Sequence, residues 1–543
     1  MVYKYGIDFG TTNSSIAIRF VGDDHAEHTL VIDVKDTLPR ETLPSVVFVN
    51  ENGKIVGGEK AVNEFLQHGG NKTGQLLIKR IKLDLETKGS NLSYYVGNKK
   101  YSGIDLIAGI LRALRLKAEK AVQELDIEMS GVVMGVPVQY GDIQKNILKK
   151  ALVKAGFYDS IEQAESRTEF VSEPVAVAVH YGLNLQHDKT VLVFDFGGGT
   201  LDLAIVNLKN QVGTDRLHPH ETIAKERITL GGEELTRLFF MNSFCDNKKY
   251  GLKRIVREFR LNAQTPKDAW EELHRSEEGI RFITAVEKCK CDLSRAQKYT
   301  FSYIGRNVKL DERSFYRDDF TDSIEDKLEE IERLIDTCLE NGGIDDCYDI
   351  DHVILAGGSS MIPAVQDLLV DKFGASRVSS KSIEKDNVIK AMKRNRALES
   401  EVLTSIVRGL AAIGCRDESL IDDVVDSDYG AWDDETNEFF PIIEKGTPIK
   451  DTALDKITFH GIYQEVVSTG NNISSVEIKI YQKNINGVHK LGTINIPHPG
   501  GKKYRIFMQV DKKKGMLEVT IYDIIKRRWI DEIPLNERQY TLD

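Results

Sequence analysis

Cysteine is scarce: six in 543 residues, and no two stand as a C-x-x-C pair. That excludes a zinc finger or ribbon. Cys289 and Cys291 are two apart, a spacing that a helix turns to different faces, so the thiols read as ordinary reduced ones. No run of 18 apolar residues occurs, so no helical membrane span is expected. The first ten residues lack the apolar stretch of a secretory leader, and the expected location is the cytoplasm. Positive charge is in deficit: 73 Lys and Arg against 84 Asp and Glu, a net charge of -11. A general nucleic-acid binder needs the opposite balance. What remains is an ordinary globular composition, 41% hydrophobic and 29% charged, on a chain long enough for several compact units.

Residues 5–20 read as two strands around a polar turn. Ile7, Phe9, Ile16 and Ile18 alternate with small or polar residues on either side of Gly10-Thr11-Thr12-Asn13. Residues 191–206 repeat that design around Asp195-Phe196-Gly197-Gly198-Gly199-Thr200. A third apolar strand, 352–356, ends in Gly357-Gly358-Ser359-Ser360 and opens a helix. Between them lie a helix over 104–125 with its apolar residues at the 3.6 period, a buried strand over 132–138, and charge-rich helical stretches at 268–296 and 320–340. A helix over 402–413 follows. The duplicated hairpin predicts two similar lobes, about 1–185 and 186–415, facing each other across a cleft.

An acidic linker is expected at 416–429, with Leu420-Ile421 and Val424-Val425 inside it. Beyond it, short alternating runs at 475–481, 491–496, 504–510 and 516–522 are separated by turn signals such as Asn471-Asn472, Asn486-Gly487, Pro499-Gly500-Gly501 and Lys514-Gly515. The fold class is therefore an α/β two-lobed unit over 1–415, then a small all-β sandwich over 430–543.

Glycine turns let backbone N–H groups approach oxyanions closely, and threonine hydroxyls add donors. Asp8 and Asp195 place hard oxygen at strand ends, suited to Mg2+ and its waters. One such turn is as readily a plain polar hairpin. Two copies and a third Gly-Gly-Ser-Ser turn, each at the end of a buried strand, point to a nucleotide cleft.

The segments Tyr5-Gly6-Ile7-Asp8-Phe9-Gly10-Thr11-Thr12-Asn13-Ser14 and Val193-Phe194-Asp195-Phe196-Gly197-Gly198-Gly199-Thr200-Leu201-Asp202 resemble the two phosphate motifs of the Hsp70 family. Val353-Ile354-Leu355-Ala356-Gly357-Gly358-Ser359-Ser360 is similar to its adenosine motif, and Ile78-Lys79-Arg80 to its catalytic lysine segment. Gly135-Val136-Pro137-Val138 with Asp142 and Gln144, then Ser172-Glu173-Pro174-Val175-Ala176, resemble its connecting motifs. Leu230-Gly231-Gly232-Glu233-Glu234 resembles its Leu-Gly-Gly-Glu-Asp turn. The set keeps the family's order over residues 1 to about 415.

The resemblance implies the actin/hexokinase/Hsp70 fold, Mg-dependent hydrolysis of ATP to ADP and phosphate, and a chaperone that binds unfolded or extended polypeptides. It implies that Asp8 and Asp195 hold Mg2+ through waters, and that Thr11, Thr12 and Thr200 contact phosphates beside Gly10, Asn13, Gly197, Gly198 and Gly199. Lys79 would bind the γ-phosphate and the attacking water, Glu173 would orient water or metal, Asp202 would support them, and Pro137 would act as the interdomain switch. Gly231, Gly232, Glu233, Glu287, Lys290, Ser294, Gly357, Gly358, Ser359 and Met361 would form the nucleoside side. A J-domain co-chaperone and a nucleotide exchange factor are the implied partners.

The chain also departs from the pattern. Cys291 and Met361 stand where arginines commonly clamp adenine, which removes cation–π support. Lys145 replaces an arginine used in co-chaperone communication. The segments 210–228 and 242–283 match poorly and are expected in the mobile outer part of the second lobe. Val476 and Ile478 are candidates for a peptide cleft, and equally for plain sandwich core. No helical lid is expected, so peptide exchange should be fast. The alternative function is a nucleotide-gated scaffold for one dedicated protein partner.

Overall fold

The computed structural model describes residues 3–530 apart from 22–26, 35–40, 68–74, 126, 139, 184, 186, 211–218, 247–249, 379–401, 416–420, 426, 434–437, 450–465, 468–474, 485–486, 498–502, 511–516 and 524–527. Two mixed sheets built on the same plan organise the part before residue 415. In the first, the hairpin Tyr3–Phe9 and Asn13–Val21 is extended by Glu27–Val31, and Tyr3–Phe9 runs parallel to Met129–Val136, beyond which lies Thr168–Ser172. In the second, the hairpin Lys189–Phe196 and Leu201–Leu208 is extended by His220–Ile228, and Lys189–Phe196 runs parallel to His352–Ala356. Central strands of such sheets are covered on both faces and read as near-continuous apolar runs. Val191, Leu192, Val193 and Phe194 are fully buried for that reason.

Two helices fill the seam between the sheets. Glu173–Gly182 starts with Pro174 in its first turn and has Val and Ala on every side because both flanks are covered. The helix over 402–414 crosses it. Side chains of both helices, with Val133 from the first sheet and Val193, Val206 and Ile354 from the second, make one apolar cluster. The crossing is close: a Cβ on Gly409 would stand 1.8 Å from Ala176 O.

The strand Ile421–Asp422 adds to the free edge of the second sheet, parallel to His220–Ile228. This is the edge addition that the apolar pairs of the linker allow; Leu420 lies outside the described residues. The described elements after residue 428 are all strands, in two four-stranded antiparallel sheets. They meet the first lobe directly. Leu517 N–H donates to Asp142 Oδ2 at 3.1 Å, Ile143 packs on the cluster of Val425, Ile480 and Leu491, and Gln482 sits so close that a Cβ on Gly141 would be 2.0 Å from its Oε1.

Two expectations change. Residues 220–228 form the inner strand next to Ile421–Asp422, not part of a mobile outer region, because they pair with Leu201–Leu208 and are buried in a run from Ala224 to Arg227. The helical stretch 268–296 is two helices, Pro266–Leu273 and Glu277–Leu293, since Thr265 and Ser276 each cap a fresh start. The turn signals at 471–472, 499–501 and 514–515 lie outside the described residues, as do the side chains of Val476 and Ile478.

Candidate functional site

The glycine turns of the two hairpins face each other. A Cβ on Gly198 would lie 1.9 Å from Thr12 Oγ1, and one on Gly199 would lie 2.6 Å from Thr11 Oγ1. Only glycine tolerates that approach. Gly197 N–H closes the second turn on Thr200 O at 3.0 Å. The Gly231-Gly232-Glu233 segment docks on the same turn: Gly232 N–H donates to Gly197 O at 3.0 Å and Glu233 N–H to Gly198 O at 2.9 Å. Ser359 Oγ also donates to Gly197 O, at 2.8 Å, and Gly357 takes φ +72° where a Cβ would stand 2.4 Å from Phe196 O and 2.8 Å from Asp195 Oδ1. Lys290 Nζ donates to Gly232 O and Thr236 Oγ1 at 2.6 and 2.8 Å. The structure thus gathers the sequence-predicted segments into one cleft.

Four buried carboxylates, Asp8, Glu173, Asp195 and Asp202, line the base of that cleft. Burial, with the charge of Glu173, pushes the Asp8 carboxyl up to about 7, against the pull of Lys82. Burial together with Glu173, Asp202 and Asp8 lifts Asp195 far above the usual carboxylate range. Asp8 Oδ1 is buried without a hydrogen-bond partner. An orphaned carboxylate oxygen beside other buried carboxylates suits a divalent cation and its waters. Asp202 is differently placed. Its Oδ1 accepts from Val138 N–H at 3.0 Å and its Oδ2 from Thr200 Oγ1 at 2.7 Å, so both oxygens and the Thr200 hydroxyl serve the protein itself.

The lysine at this cluster is Lys82. Its Nζ donates to Glu173 Oε1 at 2.5 Å, with both side chains 6% exposed. Burial pulls the ammonium's pKa down, and Glu173, Asp8 and Asp202 more than offset it. For Lys79, burial holds the pKa below the usual lysine value, partly countered by the charges of Glu287 and Glu233. Its neighbour Arg80 pairs with Glu233 at 3.2 Å. Lys79 and Arg80 lie between the strand Leu76–Ile78 and the helix Ile81–Lys88, whose first turn carries Lys82.

Sequence reasoning also missed Glu86, Tyr140 and Arg227. Glu86 lies one helical turn after Lys82 and pairs with Arg227 at 2.5 Å. Tyr140 Oη donates to Lys82 O at 3.0 Å, just past Pro137, which is buried at the end of Met129–Val136. Charges four residues apart on a helix whose other buried residues are Ile81, Leu83 and Leu85 were the available signal. On the nucleoside side, Glu287 and Met361 are partly exposed, Cys291 is exposed, and Ser294 Oγ turns back to Lys290 O at 3.4 Å.

Among the described residues no helix is long and apolar enough to cross a membrane. A family model described as "Hsp70 protein" matches residues 4–536. The chain is 25% identical over 426 residues to "Chaperone protein dnaK1" of Prochlorococcus marinus subsp. pastoris, covering 75% of this chain and 57% of that protein. It is 25% identical over 523 residues to "Chaperone protein DnaK" of Mycoplasmopsis agalactiae, covering 93% of this chain and 74% of that one. With a match that runs nearly end to end over a cleft of this construction, the chain belongs to the Hsp70 family.

Proposed function

We propose that this chain is a chaperone that binds Mg-ATP in the cleft, hydrolyses it, and so controls how the sheets after residue 428 hold unfolded or extended polypeptide segments. The observation that carries this is the Lys82–Glu173 pair at the base of two facing glycine turns. Backbone N–H groups of Gly10 to Asn13 and of Gly198 to Thr200 would receive phosphate oxygens, with the hydroxyls of Thr11 and Thr12. Asp8 and Asp195 would hold Mg2+ through its waters; the cation supplies charge neutralisation at the phosphates when bound. Lys82 offsets negative charge on the transferring group and holds Glu173 in place to orient the attacking water. Lys79, Glu233, Glu287, Lys290, Ser294, Gly357, Gly358, Ser359 and Met361 would serve the nucleoside side. Asp202 is a tether for Val138 and hence for the segment behind Pro137, which makes Pro137 the natural switch.

On this reading residues 1–415 are the ATPase unit, 416–429 the linker and 430–543 the polypeptide-binding unit, working in the cytoplasm. A J-domain co-chaperone and an exchange factor are the partners to seek. A second reading, a nucleotide-gated scaffold with weak hydrolysis, is favoured by Cys291 and Met361 on the nucleoside side and by the Thr200 hydroxyl turned to Asp202. Single-turnover hydrolysis of ATP, with and without an extended hydrophobic peptide, separates the two. Slow turnover that needs Lys82 and rises with peptide supports the chaperone. ATP binding without hydrolysis or peptide response supports the scaffold.

A further inference from the structure

Between residues 242–246, the strand Lys309–Tyr316 and the helix Arg317–Asp322 lies a cavity of about 220 Å³, and none of its lining residues belongs to the cleft described above. One wall is a widened helical turn. Phe240–Phe244 is a π-helix, closed by Cys245 N–H on Phe240 O at 3.0 Å. Such turns are rare and recur at functional sites. This one sets Ser243 Oγ 2.7 Å from Ser323 Oγ and 2.9 Å from Asp319 O, to which it donates. Asn242 Nδ2 donates to Ser323 O at 3.2 Å, so the turn is tied to the end of the helix. Phe244 stacks on Phe315 with 4.3 Å between centroids, and the Arg313 guanidinium lies over the same Phe315 ring at 4.6 Å.

The cavity carries both signs of charge, because Arg313 lines it together with Asp246, Asp319 and Asp322. Among the described residues no ion pair joins Arg313 to any of the three. Asp319 Oδ2 accepts from Tyr316 N–H at 2.7 Å and so serves the start of its own helix. Asp246 and Asp322 are exposed and have no hydrogen-bond partner among the described residues. The three carboxylates do not form a metal-binding group. A ligand with positive charge alone would meet the guanidinium, and one with negative charge alone the carboxylates. A ligand with both can make charge-assisted hydrogen bonds to both. The space is below the range of about 300–1,000 Å³ usual for drug-sized ligands, so the ligand is small.

We propose that this cavity binds a small zwitterion of net positive charge, such as lysine, with its carboxylate on Arg313 and its ammonium groups on Asp246 and Asp322. The site stands apart from the nucleotide reading and does not depend on it.

The test is saturation-transfer NMR on the full chain, titrated with L-lysine, with cadaverine, which lacks the carboxylate, and with hexanoate, which lacks the ammonium groups. L-Lysine is expected to bind with a Kd of about 1 mM or tighter. Cadaverine and hexanoate should each bind at least about tenfold more weakly, since each forfeits a hydrogen bond to a charged group. Arg313→Gln should erase the preference for L-lysine over cadaverine, a selective change that general loosening of the fold would not give. Asp322→Asn, at an exposed position, should weaken L-lysine and cadaverine alike without weakening hexanoate, and it carries the test alone should Arg313→Gln not fold. Glycyl-lysine separates two sources of the same chemistry: binding equal to that of L-lysine assigns the site to the last residue of a peptide, weaker binding to the free amino acid. The proposal is overturned by an absence of saturable L-lysine binding, by cadaverine or hexanoate binding as tightly as L-lysine, or by L-lysine affinity unchanged in the folded variants.

Discussion

Lys82 Nζ and Glu173 Oε1 meet at 2.5 Å inside the first lobe, joining the start of one helix to the start of another. Lys82→Met should lower single-turnover ATP hydrolysis about 100- to 1000-fold, the usual cost of losing one preorganised charge at a reacting phosphoryl group, with binding retained. Lys79→Met should chiefly weaken nucleotide binding. Rapid-quench hydrolysis beside equilibrium binding for both variants checks the division; hydrolysis that survives Lys82→Met and vanishes in Lys79→Met reverses it.

Gly231 lies against the second glycine turn, where a Cβ would be 2.3 Å from Gly199 N. Gly231→Ala must push the Gly231-Gly232-Glu233 segment off that turn and lengthen the Gly232 and Glu233 hydrogen bonds. ATP affinity is expected to fall at least about tenfold, with far-UV circular dichroism unchanged. Calorimetric titration reads the first and the spectrum the second.

Asp142 predicts a pH dependence for docking. Burial pushes its carboxyl up to about 6 from an ordinary 3.8, opposed by Lys145, the Leu517 N–H and Lys149. Leu517 N–H favours the ionised carboxylate, but burial outweighs it, and the docked form is expected to bind the proton more tightly than the undocked one. Docking is therefore favoured below about pH 4 and loses that contribution as pH rises through 6. Amide hydrogen exchange at 421–423, corrected for intrinsic rates, should be slower at pH 5 than at pH 7.5. Asp142→Asn should flatten the difference; a difference that persists in that variant assigns it to another group.

At the seam, Gly409→Val drives a side chain into Ala176 O. Overpacking at a buried crossing costs about 1–3 kcal/mol. A lower midpoint in urea should result, while Gly343→Asn, in an open left-handed turn with nothing near its missing Cβ, should change little.

The strands and the glycine turns were legible because each is a local pattern: apolar alternation, then glycine, then alternation again. The duplicated sheet plan came from the likeness of residues 5–20 to 191–206. Lys82 was not legible. It sits among Ile81, Leu83 and Leu85, two places beyond a Lys-Arg pair that fits the family's motif better, and the path of the helix brings it to Glu173. Arg227 was hidden for a related reason. Lys225-Glu226-Arg227 reads as a solvated edge, and the partners that permit its burial, Glu86, Asp423 and Lys445, are 141, 198 and 219 residues from theirs. Asp202 shows a third kind of gap: its residue type suits a metal, and its hydrogen bonds to Val138 and Thr200 commit it to the chain.

The strand Ile421–Asp422 does more than tie two parts together, because it occupies the outer rim of a sheet. An uncovered rim presents a row of unmet N–H and C=O groups to any passing extended chain. In this molecule the cover is attached by the same covalent backbone, so it is always at hand and always first in the queue. Release of the tether would open the rim at His220 and Glu221 to other extended chains, and its return would cover it again. Crowded solutions should thus penalise variants that hold the tether away through self-association, before any loss of chemistry is seen.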